Sequence, residues 1–106
     1  MAAYLFTANY NAQALRGLRS EGAASRIDAV RSIVESLGGT LESFYFAFGD
    51  VDAYVTVELP DDETAAAAAL AVSSSGAVTA RTVKLLTPDQ VDAAIGKEIS
   101  YRPPGG

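Results

Sequence analysis

Asp52, Tyr54, Thr56 and Glu58 recur at every second position of VDAYVTVEL, the spacing at which an extended chain carries side chains to one face. Such a face offers two carboxylates, a phenol and a hydroxyl. The chemistry it suggests is a general base at Glu58 or Asp52, with Tyr54 or Thr56 orienting the molecule acted on. The same residues, with Arg81, would equally serve to hold a ligand. Each acid also has a structural alternative. A carboxylate within an apolar strand costs free energy unless exposed, paired or protonated, so Glu58 is either functional or half of an ion pair with Arg81 or Lys84. Asp52 follows an expected tight turn, where a carboxylate accepts the turn amides. The aromatics Tyr4, Tyr10, Phe44, Tyr45, Phe46 and Phe48 either line a pocket or fill a core.

The residues that are missing narrow the chemistry further. The 106-residue chain has no cysteine and no histidine, which removes disulfides, thiolate nucleophiles, thiolate metal sites and imidazole bases and ligands. No cofactor and no metal is expected. Ser73, Ser74 and Ser75 lack a histidine partner. Gly38-Gly39 ends a helix and Gly105-Gly106 lies in the tail, so neither forms a phosphate loop entering a helix. A formal charge of −5, with no Lys or Arg between Arg31 and Arg81, argues against nucleic acid and anionic membrane as partners. The start MAAYLFTANY has no basic segment followed by a long apolar run, so a cytoplasmic protein is expected.

The elements that must position these residues follow from periodicity. Tyr4 to Tyr10 alternates as a strand, and Asn11 to Gly22 reads as a polar loop with one short helical turn around Leu15 and Leu18. In ASRIDAVRSIVESLGG, Ile27, Val30, Ile33, Val34 and Leu37 make a helical stripe, while Arg26, Asp28, Arg31 and Glu35 fall elsewhere. TLESFYFAF is the second strand. Gly49 suits the first central position of a type II′ hairpin turn over Phe48 to Val51, so the strand carrying Glu58 pairs antiparallel with it. Pro60 stops that strand, and Asp61, Asp62 and Glu63 cap an Ala-rich helix through Val72. AVTARTVKLL is the fourth strand. Thr87-Pro88-Asp89-Gln90 then carries the marks of a capping box before a last helix with Val91, Ala94 and Ile95 as its stripe.

The order is α+β, a ferredoxin-like βαββαβ arrangement with an additional C-terminal helix, forming one domain over residues 1–98 and an extended tail over 99–106. Right-handed crossovers place both main helices on one face of a four-stranded antiparallel sheet. The other face is left open, which invites covering by the same face of a second copy.

The run from Ser36 to Val78 followed by TARTVKLLTPDQVDAA resembles the GYD domain family of small bacterial and archaeal proteins. The matching features are the LGG helix end, the aromatic strand, Gly49 and Asp52 of the hairpin, Val57-Glu58-Leu59-Pro60-Asp61, the Ala-rich helix and the Thr-rich last strand. Val51 stands where the family has its namesake tyrosine. The resemblance implies a fold like the dimeric α/β barrels and self-association as a homodimer or higher homo-oligomer, and it transfers no general activity. Three functions follow as expectations. The first is a homo-oligomeric module binding a small apolar or aromatic molecule at the open sheet face. The second, by analogy with that fold, is a cofactor-independent enzyme of isomerase or oxygenase type with a carboxylate base. The third is an assembly or interaction protein.

Overall fold

The computed structural model describes all 106 residues. Its elements are β1 (Ala2–Tyr10), α1 (Ala12–Glu21), α2 (Ala23–Ser36), β2 (Thr40–Phe46), β3 (Ala53–Leu59), α3 (Asp62–Ser74), β4 (Val78–Leu85) and α4 (Pro88–Ile95). The strands form one antiparallel sheet in the order β2-β3-β1-β4. This is the expected α+β ferredoxin-like fold with its additional C-terminal helix.

β3 is the best-buried element because its alternation is strict. Ala53, Val55, Val57 and Leu59 are all buried, while Tyr54, Thr56 and Glu58 turn to the opposite face. On β1, Tyr4 and Phe6 sit opposite Val57 and Val55 and extend the same apolar face. A register shift between Leu41 and Ser43 inserts Glu42 as an extra residue in β2. That bulge lets both Leu41 and Phe44 join the helix-facing side, which uninterrupted alternation would forbid. Val34 of α2 and Ala65 of α3 complete the fully buried cluster.

Two local expectations need correction. The segment after Asn11 is a ten-residue helix rather than a loop with one turn. The Asn11 side chain accepts from the Ala14 N–H at 2.9 Å and so caps it, while the Asn11 N–H donates to the Ala77 carbonyl and ties the helix start to the β4 entrance. The β2–β3 connection is not a type II′ hairpin, since Gly49 lacks the positive φ that this turn requires. It is a longer loop held from outside: Asn9 Nδ2 donates to the Asp50 carbonyl at 2.7 Å, and the Asp52 N–H donates to the Ala8 carbonyl at 3.0 Å.

The two glycines ending α2 have different roles. Gly38 takes the left-handed conformation (φ 81°), and the Gly38 and Gly39 N–H groups donate to the Glu35 and Val34 carbonyls, the paired bonds of a Schellman cap. Gly39 instead permits close approach, because a Cβ there would lie 2.3 Å from the Glu58 carbonyl oxygen. The end of α2 is thereby pressed against β3.

At the start of α3, Asp61 accepts from both the N–H and hydroxyl of Thr64, as expected of an N-cap. Asp62 receives the hydroxyl of buried Tyr4 at 2.5 Å and the Lys84 ammonium at 2.8 Å, joining α3 to β1 and β4. α4 carries the expected capping box and Pro88 at its first turn. Yet every residue from Leu86 to Gly106 is exposed, Val91 and Ile95 included. This arm stretches the molecule to 57 Å and its radius of gyration to 17.1 Å, against about 13 Å for a compact chain of this length.

The Asp61 and Asp62 carboxyls lie below the ordinary carboxylate range. The Thr64 hydroxyl and N–H hold down the first, and the Lys84 and Tyr4 hydrogen bonds hold down the second. Tyr4 is pushed up from 10.0 to about 12, chiefly by its bond to Asp62 and then by burial. Depressed acids contribute stability that is present above their unfolded pKa and lost as pH falls through the folded value. A raised phenol contributes stability present below its unfolded pKa and lost as pH rises toward about 12. Thermal unfolding followed across pH is therefore expected to show a plateau with an acid and an alkaline limb. Asp62→Asn should diminish both limbs, and limbs unchanged in that variant would refute the assignment.

Candidate functional site

α2 packs on β2 and α3 on β4, at the two sides of the sheet, so the central strands run beneath a groove between the helices. The groove exists because the sheet-facing residues of α3 are small. Ala68 brings only a methyl group to the groove wall, and Ala65, fully buried, lets α3 settle closely on the sheet. At its floor is a cavity of about 90 Å³, lined by Phe6 of β1, Phe44 of β2, Val55 of β3, Ala80 of β4, Val30 of α2 and Val72 of α3, among others. Arg26 is the one charged residue in its wall. A wider cavity of about 430 Å³ adjoins it beneath α1, reaching Gln13, Glu21 and Ser75. The two share Tyr10, Arg26, Ile33, Ala68, Val72 and Val78, which makes them one cleft with an apolar floor and a more polar mouth.

Arg26 sits where floor and mouth meet. It occupies the first turn of α2, one, two and three helical turns before Val30, Ile33 and Leu37, and it lines the cavity with them. Its guanidinium carbon stands 5.8 Å from the centre of the Tyr10 ring, within cation–π range. Its Nε is buried and has no hydrogen-bond partner. The ion pairs of the chain are Arg31 with Asp28 and Lys84 with Asp62, so no carboxylate neutralises Arg26.

The residues singled out from the sequence lie elsewhere. Strand register puts Tyr45, Tyr54, Thr7 and Arg81 in one row across the open face, and Thr40, Glu58, Ala3 and Leu85 in another. Tyr54, Thr56, Glu58 and Arg81 therefore share a face, as alternation requires. The expected ion pair of Glu58 is not made. Arg81 is about 13 Å along the strands and about 10 Å across them by sheet geometry. Lys84 is on the other face, engaged with Asp62. Thr56 is hydrogen-bonded to Ser43 across β2 and β3. Asp52 departs from the expectation that it ties its own turn: its Oδ2 accepts the Tyr10 N–H at 2.8 Å, fastening the loop to the end of β1. Of the aromatics proposed as pocket-lining, Tyr10 and Phe44 reach the cleft, Tyr4 is in the core, and Tyr45 and Phe48 are exposed.

Reasoning from sequence missed Arg26, although one signal for it was present: it lies four residues before Val30 and seven before Ile33, on the stripe of α2 rather than off it. Ala68 and Val72 carried no such signal, since a run of alanines has no readable period.

The Asp52 contact predicts a particular mutational pattern. Asp52→Ala strands the Tyr10 N–H and should cost about 1–2 kcal/mol in denaturant unfolding. Asp52→Asn keeps an acceptor oxygen and should lose less than half as much. Equal losses would mean that the carboxylate acts through its charge instead.

No curated protein and no solved structure matches the chain significantly. The family model described as the GYD domain matches residues 4–95, from the third residue of β1 to the end of α4. That span takes in every strand and helix lining the cleft, and on its extent the chain belongs to the GYD domain family.

Proposed function

We propose that the chain is a homo-oligomeric module that holds a small apolar or aromatic molecule in the cleft between α2 and α3. The observation that carries this reading is the apolar floor cavity set in a sparsely filled interior. Only 8 of 106 residues are buried, and the cavity wall includes Val30, Phe44 and Val72, which are only partly covered by the rest of the chain. Apolar surface left half-covered around a concave space favours a guest that completes the packing. The open sheet face, where Tyr54 is 43% and Val83 47% exposed, and the apolar residues of the arm favour a second copy as their cover. The ligand thus belongs on the helix side of the sheet, and self-association on the other side and along the arm.

Two measurements test this reading. Indole titrated into ¹⁵N-labelled protein should shift the amides of Val30, Val55 and Val72, and Ala68→Phe, which fills the cleft, should abolish the shifts while the fold persists. Shifts confined to Tyr54 and Thr56 would place binding on the open face instead. Sedimentation velocity should show a dimer or larger species. A monomer at tens of micromolar would remove the oligomeric half of the proposal and leave the cleft.

A further inference from the structure

We propose that the molecule held in the cleft is an apolar or aromatic carboxylate, with its apolar body in the floor cavity and its carboxylate on Arg26. This rests on the cleft being a binding site and names the chemistry of its guest. A guanidinium carries five N–H donors in a planar fork and cannot lose its charge, so placing it against an apolar wall costs free energy unless an acceptor or an aromatic face compensates. Within the chain Arg26 has only the Tyr10 ring, 5.8 Å from its guanidinium carbon, and no hydrogen-bond acceptor. The buried Nε is left with a hydrogen and no acceptor.

The neighbouring acids do not supply one. Asp28, on the same helix, is held by Arg31 at 2.9 Å. Glu21 lines only the outer cavity and lies beyond ion-pair distance of Arg26. A bidentate carboxylate is the acceptor that fits a fork in this position. Its geometry also orients the guest, because Arg26 borders both cavities. An acid bound there points its apolar part toward Phe6, Phe44 and Val55, which offer no polar side chain, and leaves its carboxylate toward the wider, more polar mouth. The floor volume of about 90 Å³ is smaller than the roughly 150 Å³ of an apolar cavity that admits benzene, so a ring bound there extends from the floor into the wider mouth.

The test compares two probes of matched shape on the intact chain by titration calorimetry, 3-phenylpropionate and the neutral 3-phenylpropanamide. The expected result is that the carboxylate binds about tenfold tighter or more, the discrimination of a charge-assisted hydrogen bond. In Arg26→Gln both probes should bind alike, near the affinity of the amide. Arg26→Lys, which keeps the charge but not the fork, should retain a reduced preference. Equal affinities in the unaltered protein, or a preference that survives Arg26→Gln, would overturn the carboxylate assignment and leave the cleft as a binding site. Failure of both probes to bind would overturn the binding reading as well. Should Arg26→Gln not fold, the comparison in the unaltered protein decides the matter alone.

Discussion

The structure depends on one apolar surface, the face of β3 carrying Ala53, Val55, Val57 and Leu59. β1, β2, α2 and α3 are arranged to remove that surface from water. β1 and β2 flank it, Leu59 is closed over by the pressed end of α2, and α3 comes down beyond it. Burying apolar side chains is the dominant favourable term in a domain of this size, and few other residues here supply it. Polar contacts then hold the covering pieces in place. The Asp62 junction fixes α3 to β1 and β4, the Asn11 contacts fix α1 to the β4 entrance, and Asp52 fixes the β2–β3 loop to β1. Each joins elements distant in sequence, so the helices keep their positions at the sides of the sheet without meeting over its centre.

That arrangement gives the two faces of the sheet different characters. The helix side is apolar, concave and incompletely filled. The opposite side is left open by the helices, with rows that mix Tyr, Thr, Leu, Val, Glu and Arg. Glu58 belongs to this second side. Its position in an apolar strand follows from alternation, since its neighbours Val57 and Leu59 are buried precisely where it is turned away from the core.

Features set by nearest neighbours were legible in the sequence. The alternation of β3, the Asp61 cap, the Thr87 capping box and the glycine end of α2 each depend on a few adjacent residues. Where the deciding partner is remote, the sequence was ambiguous. α1 carries Gly17 and only two leucines, which reads as a loop until Asn11 is seen to cap it and to be anchored by Ala77 and Gly76. Gly49-Asp50 has the composition of a two-residue hairpin, but contacts from Asn9 and the Ala8 carbonyl favour a longer path. The site divides in the same way. The face holding Tyr54, Thr56 and Glu58 followed from period alone, whereas the cleft arises from where two helices stop approaching each other, and of its charged residue the sequence shows the position on the helical stripe but not the missing partner.

The alanines of α3 have a consequence for how such a domain changes over evolutionary time. A wall made of methyl groups can be thickened or thinned one side chain at a time, and alanine, leucine and methionine differ little in their intrinsic preference for helix. The chamber's capacity is therefore nearly independent of the backbone that encloses it. Sequences that keep β3, the caps, the buried Ala65 and the glycine end of α2 can vary at Ala68 and Val72, so grooves of different width are reached without disturbing the core.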